Sequence, residues 1–251
     1  MTEQIFTNAK IVLANDVIEG AVQIKDGLIT DISDRPSNLP GAEDMGGDYL
    51  MPGLVELHTD NLEKHLTPRP KTRWPATAAV IAHDNQVASA GITTVFDAIS
   101  VGDVSDGSER IERLVESVTA LQHALENNLL RADHKLHLRC ETSYGGLVEA
   151  LDNLVDLPLV KMLSVMDHTP GQRQFVSLDA YYTYYQGKYG LSDEEMRKFV
   201  ASRKRDSELY SAKHRRHVVD VAHSRGLALA SHDDAPEEHV AEAVADKSTV
   251  A

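Results

Sequence analysis

Up to Asp48 apolar and polar positions alternate over short runs: Ala9-Lys10-Ile11-Val12-Leu13, then Ala21-Val22-Gln23-Ile24, then Leu28-Ile29-Thr30-Asp31-Ile32. A two-residue period puts successive side chains on opposite faces and predicts short strands. Asp26-Gly27, between the last two runs, is a hairpin signal, because both residues tolerate the positive φ that a tight turn requires. Pro36, Pro40, Gly41, Gly46 and Gly47 punctuate the segment that follows. Residues 1–48 are expected to form a small antiparallel β unit.

From Tyr49 the texture changes. Apolar strand-like runs at 50–57, 92–96, 136–140, 159–166 and 227–230 are separated by amphipathic stretches, an alternation that predicts parallel βα units. One helix is expected from Pro75, suited to a first turn, to Gly91, suited to a stop. A second, 109–130, carries Ile111, Leu114, Val115, Val118, Leu121 and Leu125 at helical spacing. A third opens with Ser192 and Glu195 in capping-box relation and runs to Gly226, a length at which a break is expected. There is no internal repeat and no low-complexity tract. The fold class is α/β, with residues 49–251 as one unit.

Composition narrows the function classes. The 251 residues are 42% apolar and 25% charged, which excludes disorder as the main state and allows a sizeable core. No stretch reaches the roughly 18 to 20 apolar residues of a membrane helix, and the start MTEQIFTNAK lacks the apolar region of a secretory signal. A cytoplasmic location is expected. A net charge of −14 repels nucleic acid and anionic lipid, so neither is an expected partner, and an anionic ligand must be held by a local cluster or a metal. The single cysteine, Cys140, excludes an intrachain disulfide and a Cys-based zinc site. Nothing near it in sequence lowers its pKa, so it is read as a small buried residue.

In βα architectures functional groups collect past the C-terminal ends of strands. His58, His168 and His232 each follow a predicted strand directly. His83, His123, His214, His217, His223 and His239 lie in helical stretches and are expected to be solvated or capping. His134 and His137 fall early in their strand, at the wrong end. Asp60, Asp97, Glu141, Asp233 and Asp234 are expected to join the three strand-end histidines. Imidazole with carboxylate suits zinc, manganese or iron; the alternative is that these groups satisfy loop backbone or bind a polar substrate directly. Arg69, Lys71 and Arg73, stiffened by Pro68 and Pro70, form a candidate anion clamp. The run Tyr181-Tyr182-Thr183-Tyr184-Tyr185, followed by Gly187 and Gly190, is expected to be a loop that closes over substrate or packs between subunits.

Pro52-Gly53-Leu54-Val55-Glu56-Leu57-His58 resembles the opening of the barrel in the amidohydrolase superfamily, and the preceding β unit resembles that superfamily's β-sandwich. The longer string from Glu56 to Pro70, with Asp167-His168-Thr169-Pro170-Gly171-Gln172 and Ser231-His232-Asp233-Asp234-Ala235, is similar to the PhnM-type family of alkylphosphonate-utilisation hydrolases. The resemblance covers the whole chain. It implies a (β/α)8-type barrel and a centre of two divalent metal ions, zinc before manganese or iron, with His58, Asp60, Glu141, His168 and His232 as ligands. Asp60 stands where the superfamily usually has a second histidine, and Glu141 where it often has a carboxylated lysine.

What the resemblance further implies is hydrolysis of a phosphorylated ribose phosphonate, α-D-ribose 1-methylphosphonate 5-triphosphate, to the 5-phosphate and pyrophosphate. Activated water would attack the α-phosphorus, while Arg69, Lys71, Arg73, Gln172 and Arg173 contact substrate and Asp233 or Asp234 does catalytic or orienting work. Two other readings are a carbon–nitrogen hydrolase with the same metal chemistry and an inactive binding fragment. The superfamily barrel has eight strands and a terminal aspartate, and needs about 250 residues by itself. Here the sequence stops as a sixth strand would begin, so a C-terminal truncation is expected, with the remainder in a longer product or a complementing segment. A homo-oligomer is the other expected assembly.

Overall fold

A computed structural model describes residues 2–69, 72–102, 110–171, 173–234 and 236–250. The chain divides into two compact units, Met1–Leu54 and Val55–Ala251.

In the first unit β1 (Glu3–Val12), β2 (Val17–Lys25) and β3 (Leu28–Ser33) form an antiparallel meander, and the short β4 (Glu43–Asp44) and β5 (Tyr49–Leu50) pair in parallel with β1. The β2–β3 turn is Asp26-Gly27, with φ of 51° and 81°, the backbone expected of those residues. Ala9, Ile11 and Val22 are its buried centre, backed by Ile18, Ile24, Met45 and Leu50. Gly20 in β2 has no room for a side chain, since a Cβ there would lie 1.8 Å from the Ser33 carbonyl oxygen.

The second unit runs β6 (Leu54–Thr59), α1 (Asn61–Leu66), α2 (Ala76–Ser89), β7 (Ile92–Val101), α3 (Arg110–Glu126), β8 (Asp133–Glu141), α4 (Leu147–Asp152), β9 (Val160–Met166), a 3-10 turn at Arg173–Phe175, α5 (Leu178–Tyr189), α6 (Asp193–Arg225), β10 (Ala228–Ala230) and α7 (Glu237–Ala245). Its five-stranded sheet has the order β10-β9-β8-β7-β6, and β7 through β10 pair in parallel. Chain-order neighbours joined through helices are the geometry of part of a (β/α) barrel. Val250 adds a parallel bridge to Ala230 beyond β10.

Strand alternation sorts this sheet into two faces. One carries Ile99, Val101, Leu136, Leu138, Cys140, Leu163, Val165 and Leu229, which merge with Ala79, Val80, Leu114, Val118, Leu121, Leu147, Leu151, Val218 and Ala222 from the helices into the main core. Burial there pushes the Cys140 thiol pKa up, as fits an inert thiol. The other face carries the polar groups of the site.

Two sequence expectations are corrected. The break expected in the long helix does not occur: α6 is 33 residues without interruption, opened by the Ser192–Glu195 capping box and closed by Gly226 at φ 62°. No proline or glycine stands between those caps to break it. The tyrosine run is not a loop either. It forms α5, because Tyr181 and Tyr185, one helical turn apart, are buried with Phe175 and Met196 and that burial favours helix.

Candidate metal site

The polar face gathers residues from four strands. His58 sits near the end of β6, and Asp60 follows as the N-cap of α1. His137, Arg139 and Glu141 alternate along β8, while His168 and His232 follow β9 and β10. Ring centroids of His58 and His232 lie 5.5 Å apart, and those of His168 and His232 6.3 Å. The three strand-end histidines therefore share one space, as strand register requires of parallel βα units.

Each has a carboxylate neighbour. His58 Nε2 is 3.7 Å from Asp60 Oδ1. His168 Nδ1 donates to Glu141 Oε2 at 2.5 Å, and the His168 backbone N–H and Ser143 hydroxyl donate to Glu141 Oε1 at 3.2 and 2.6 Å. His232 Nδ1 donates to Asp233 Oδ2 at 2.6 Å. In the neutral tautomer a proton held on Nδ1 leaves the lone pair on Nε2. Arg139 joins the group, its Nη1 2.7 Å from Asp60 Oδ1 and its Nη2 3.4 Å from His232 Nε2. Burial opposes ionisation of Asp60, but His58 and the Arg139 charge outweigh it and hold the carboxyl below the ordinary carboxylate value. The His232 hydrogen bond holds Asp233 low in the same way.

His137 is a correction. It was expected at the wrong end of its strand, yet its ring packs edge-on against His58 at 5.1 Å. It is buried, Nδ1 donates to the Leu57 carbonyl at 3.1 Å, and Nε2 has no hydrogen-bond partner. Burial, reinforced by His58, pushes its pKa down to about 3, so it is neutral at neutral pH. Its sequence signal was alternation: His137 lies four residues before Glu141 and so on the same face.

Asp97 is corrected in the opposite sense. It lies on the helix-covered face of β7 and accepts from His83 Nε2 and His134 Nδ1, each at 2.7 Å, while His134 Nε2 lies 3.2 Å from Asp84 Oδ1. All four residues are fully buried, so His83 is neither solvated nor capping. Atoms of His83, Asp97 and His134 lie within 4.8 Å of one another, close enough for a cation, but here they bind each other. His214, also expected to be solvated, is buried and donates to the Thr142 carbonyl at 3.1 Å.

The expected substrate contacts are dispersed. Arg73 pairs with Glu116 at 3.3 Å, and Arg69 is exposed; Lys71 and Gln172 lie outside the described residues. Arg173 is buried, with Nη1 2.6 Å from Asp234 and Nη2 2.7 Å from Glu242, so both it and Asp234 are engaged in packing α7 against the site loops. Beside His168 and Asp60 lies a cavity of about 220 Å³ that Ser100, Arg139, Tyr184 and Lys188 also line.

No family model matches the chain. Among solved structures it resembles 5-methylcytosine deaminase from Klebsiella pneumoniae (TM-score 0.56, 13% identity, 97% of this chain and 55% of that one). It also resembles N-acetyl-D-glucosamine-6-phosphate deacetylase from Mycobacterium smegmatis (TM-score 0.51, 12% identity, 98% and 59%). At such identities the likeness shows the fold alone. By sequence it is 43% identical over 238 residues to the α-D-ribose 1-methylphosphonate 5-triphosphate diphosphatase of Escherichia coli (strain K12). The match takes in 95% of this chain and 63% of that relative's length.

The donor set fits divalent metal: three imidazoles and two carboxylates converge, two of the imidazoles are fixed through Nδ1 by carboxylates, and His137 Nε2 is a buried, unpartnered nitrogen beside His58. Carboxylates behind ligating histidines set tautomer and orientation. Among the described residues no helix is long and apolar enough to cross a membrane.

Proposed function

We propose that this chain supplies the metal-binding side of a phosphoanhydride hydrolase acting on α-D-ribose 1-methylphosphonate 5-triphosphate. The observation that supports it most is the convergence of His58, Asp60, Glu141, His168 and His232 in a chain 43% identical to the diphosphatase with that substrate. Those five residues are the proposed ligands of one or two divalent cations, zinc first, with manganese or iron as alternatives. Bound metal supplies Lewis acidity and lowers the pKa of water from about 15.7 towards about 7.

The protein groups have separable tasks. His58, His168 and His232 offer imidazole nitrogens, and Asp60 and Glu141 offer oxygens. Asp233 holds His232 in one tautomer, while Ser143 and the His168 amide hold Glu141. Water oxygen adds to the α-phosphorus, the bond to the bridging oxygen of the β-phosphate breaks, and pyrophosphate leaves with the 5-phosphate remaining. Positively charged groups near the phosphoryl oxygens carry much of such catalysis by electrostatics and positioning.

The test is product analysis with zinc- or manganese-loaded protein and the ribose 5-triphosphate. Pyrophosphate is expected, lost on chelation. Orthophosphate alone would move the cleavage site, and turnover of amides or cyclic imides instead would favour a carbon–nitrogen hydrolase.

A further inference from the structure

We propose that the cavity beside His168 and Asp60 is an anion subsite in which Arg139 and Lys188 take the phosphoryl oxygens of the substrate. Its assignment to a polyphosphate rests on the function proposed above; its preference for an anion rests on the cavity itself.

The cavity brings Ser100, Arg139, Tyr184 and Lys188 to one space with the candidate ligands Asp60 and His168. Arg139 projects from β8, its side chain only 13% exposed, so it acts where water screens little. Asp60 takes one of its donors at 2.7 Å, and its Nε is buried with no hydrogen-bond partner. A guanidinium has five donors, and this one has capacity left. Lys188, in the last turn of α5, is held against tyrosine faces, its Nζ 5.7 Å from the Tyr184 ring centroid and 5.3 Å from that of Tyr189. That cation–π contact positions the ammonium at a cavity wall.

Size and charge agree with this use. At about 220 Å³ the cavity is smaller than the roughly 300 Å³ at which ligand pockets begin, so it suits one end of a ligand, such as its phosphates. A chain of net charge −14 binds an anion only where cations are concentrated. The Asp60 carboxylate opposes an anion in the same cavity, and Arg139 offsets it.

The experiment is calorimetric titration of inorganic tripolyphosphate into the purified full chain, metal-free and manganese-loaded, at two salt concentrations. Wild-type binding that weakens with salt is expected. R139M and K188M should each weaken it by about 10- to 100-fold, the range of a lost charge-assisted contact, and R139K should recover part of the loss. Because R139M removes the closest partner of Asp60, circular dichroism accompanies it, and K188M, at a helix end, decides if R139M fails to fold. No wild-type binding in either state, or loss with R73M but not with R139K or K188M, would overturn the subsite. Binding is read without turnover. If tripolyphosphate binding depends on Arg139 and Lys188 while the ribose triphosphate is not hydrolysed, the subsite stands and the function falls. If hydrolysis proceeds and K188M leaves both binding and KM unchanged, the reverse holds.

Discussion

Arg139 bridges Asp60 and His232, placing a fixed cation 2.7 Å from one candidate metal ligand and 3.4 Å from another. A divalent metal held by Asp60 would therefore compete with the guanidinium for that carboxylate. Removing the guanidinium in R139M should tighten divalent metal binding by about tenfold, because a like charge a few ångströms away costs on the order of 1 kcal/mol or more. Competition against a chelator of known affinity reads the change; weaker binding in R139M would mean that Arg139 organises the ligands.

Asp233 is expected to act through His232. D233N should lower metal affinity by about 10- to 100-fold, the usual effect of losing a carboxylate behind a ligating histidine, with little change in folding because Asp233 is only partly buried. H232N should remove more metal than D233N. Elemental analysis of the purified variants gives the order, and equal metal content in D233N and wild type would dismiss the role.

The Asp97–His134 pair predicts a stability window in pH. The Asp97 carboxyl is opposed by burial but held below its ordinary 3.8 by its two histidines, so its stabilisation is present above 3.8 and is lost as pH falls through the lower folded value. Burial opposes charging of His134, yet Asp97 and then Asp84 raise its pKa above 6.5. Its stabilisation is full below 6.5 and is lost as pH rises through the higher folded value. The denaturant midpoint difference between wild type and H134Q should be largest between about 4 and 6 and shrink on both sides. A difference independent of pH would show that packing alone is lost.

In the first unit G20A should destabilise by about 1–3 kcal/mol, the usual penalty of overpacking, since its methyl would fall 1.8 Å from the Ser33 carbonyl oxygen and force β2 and β3 apart. Denaturant unfolding measures it, and hydrogen exchange should localise the loss to the β2–β3 ladder. Unchanged exchange in that ladder would contradict the argument.

The helices and strands were legible because their signals are local: Asp26-Gly27, Ser192 with Glu195, and Gly226 act through their own backbone. The histidines following strand ends were legible because parallel strands deliver their C-terminal ends to one edge. Where the reading failed, the deciding contact was remote. Asp97 and His134 are 37 residues apart, and nothing near either discloses that they face one another behind the sheet. His137 was judged by its place along β8, although face outranks place.

By itself the chain's sequence determined the βα alternation, the β unit before it, and the three histidines and two acids at strand ends, since periodicity, caps and strand direction are properties of neighbours. Only the tertiary structure decided which acid belongs to which histidine, that Arg173 and Asp234 neutralise each other, and that Arg139 stands among the candidate ligands. Those pairings depend on strand register and on which charges burial forces together, and both arise only when segments far apart in the chain are packed.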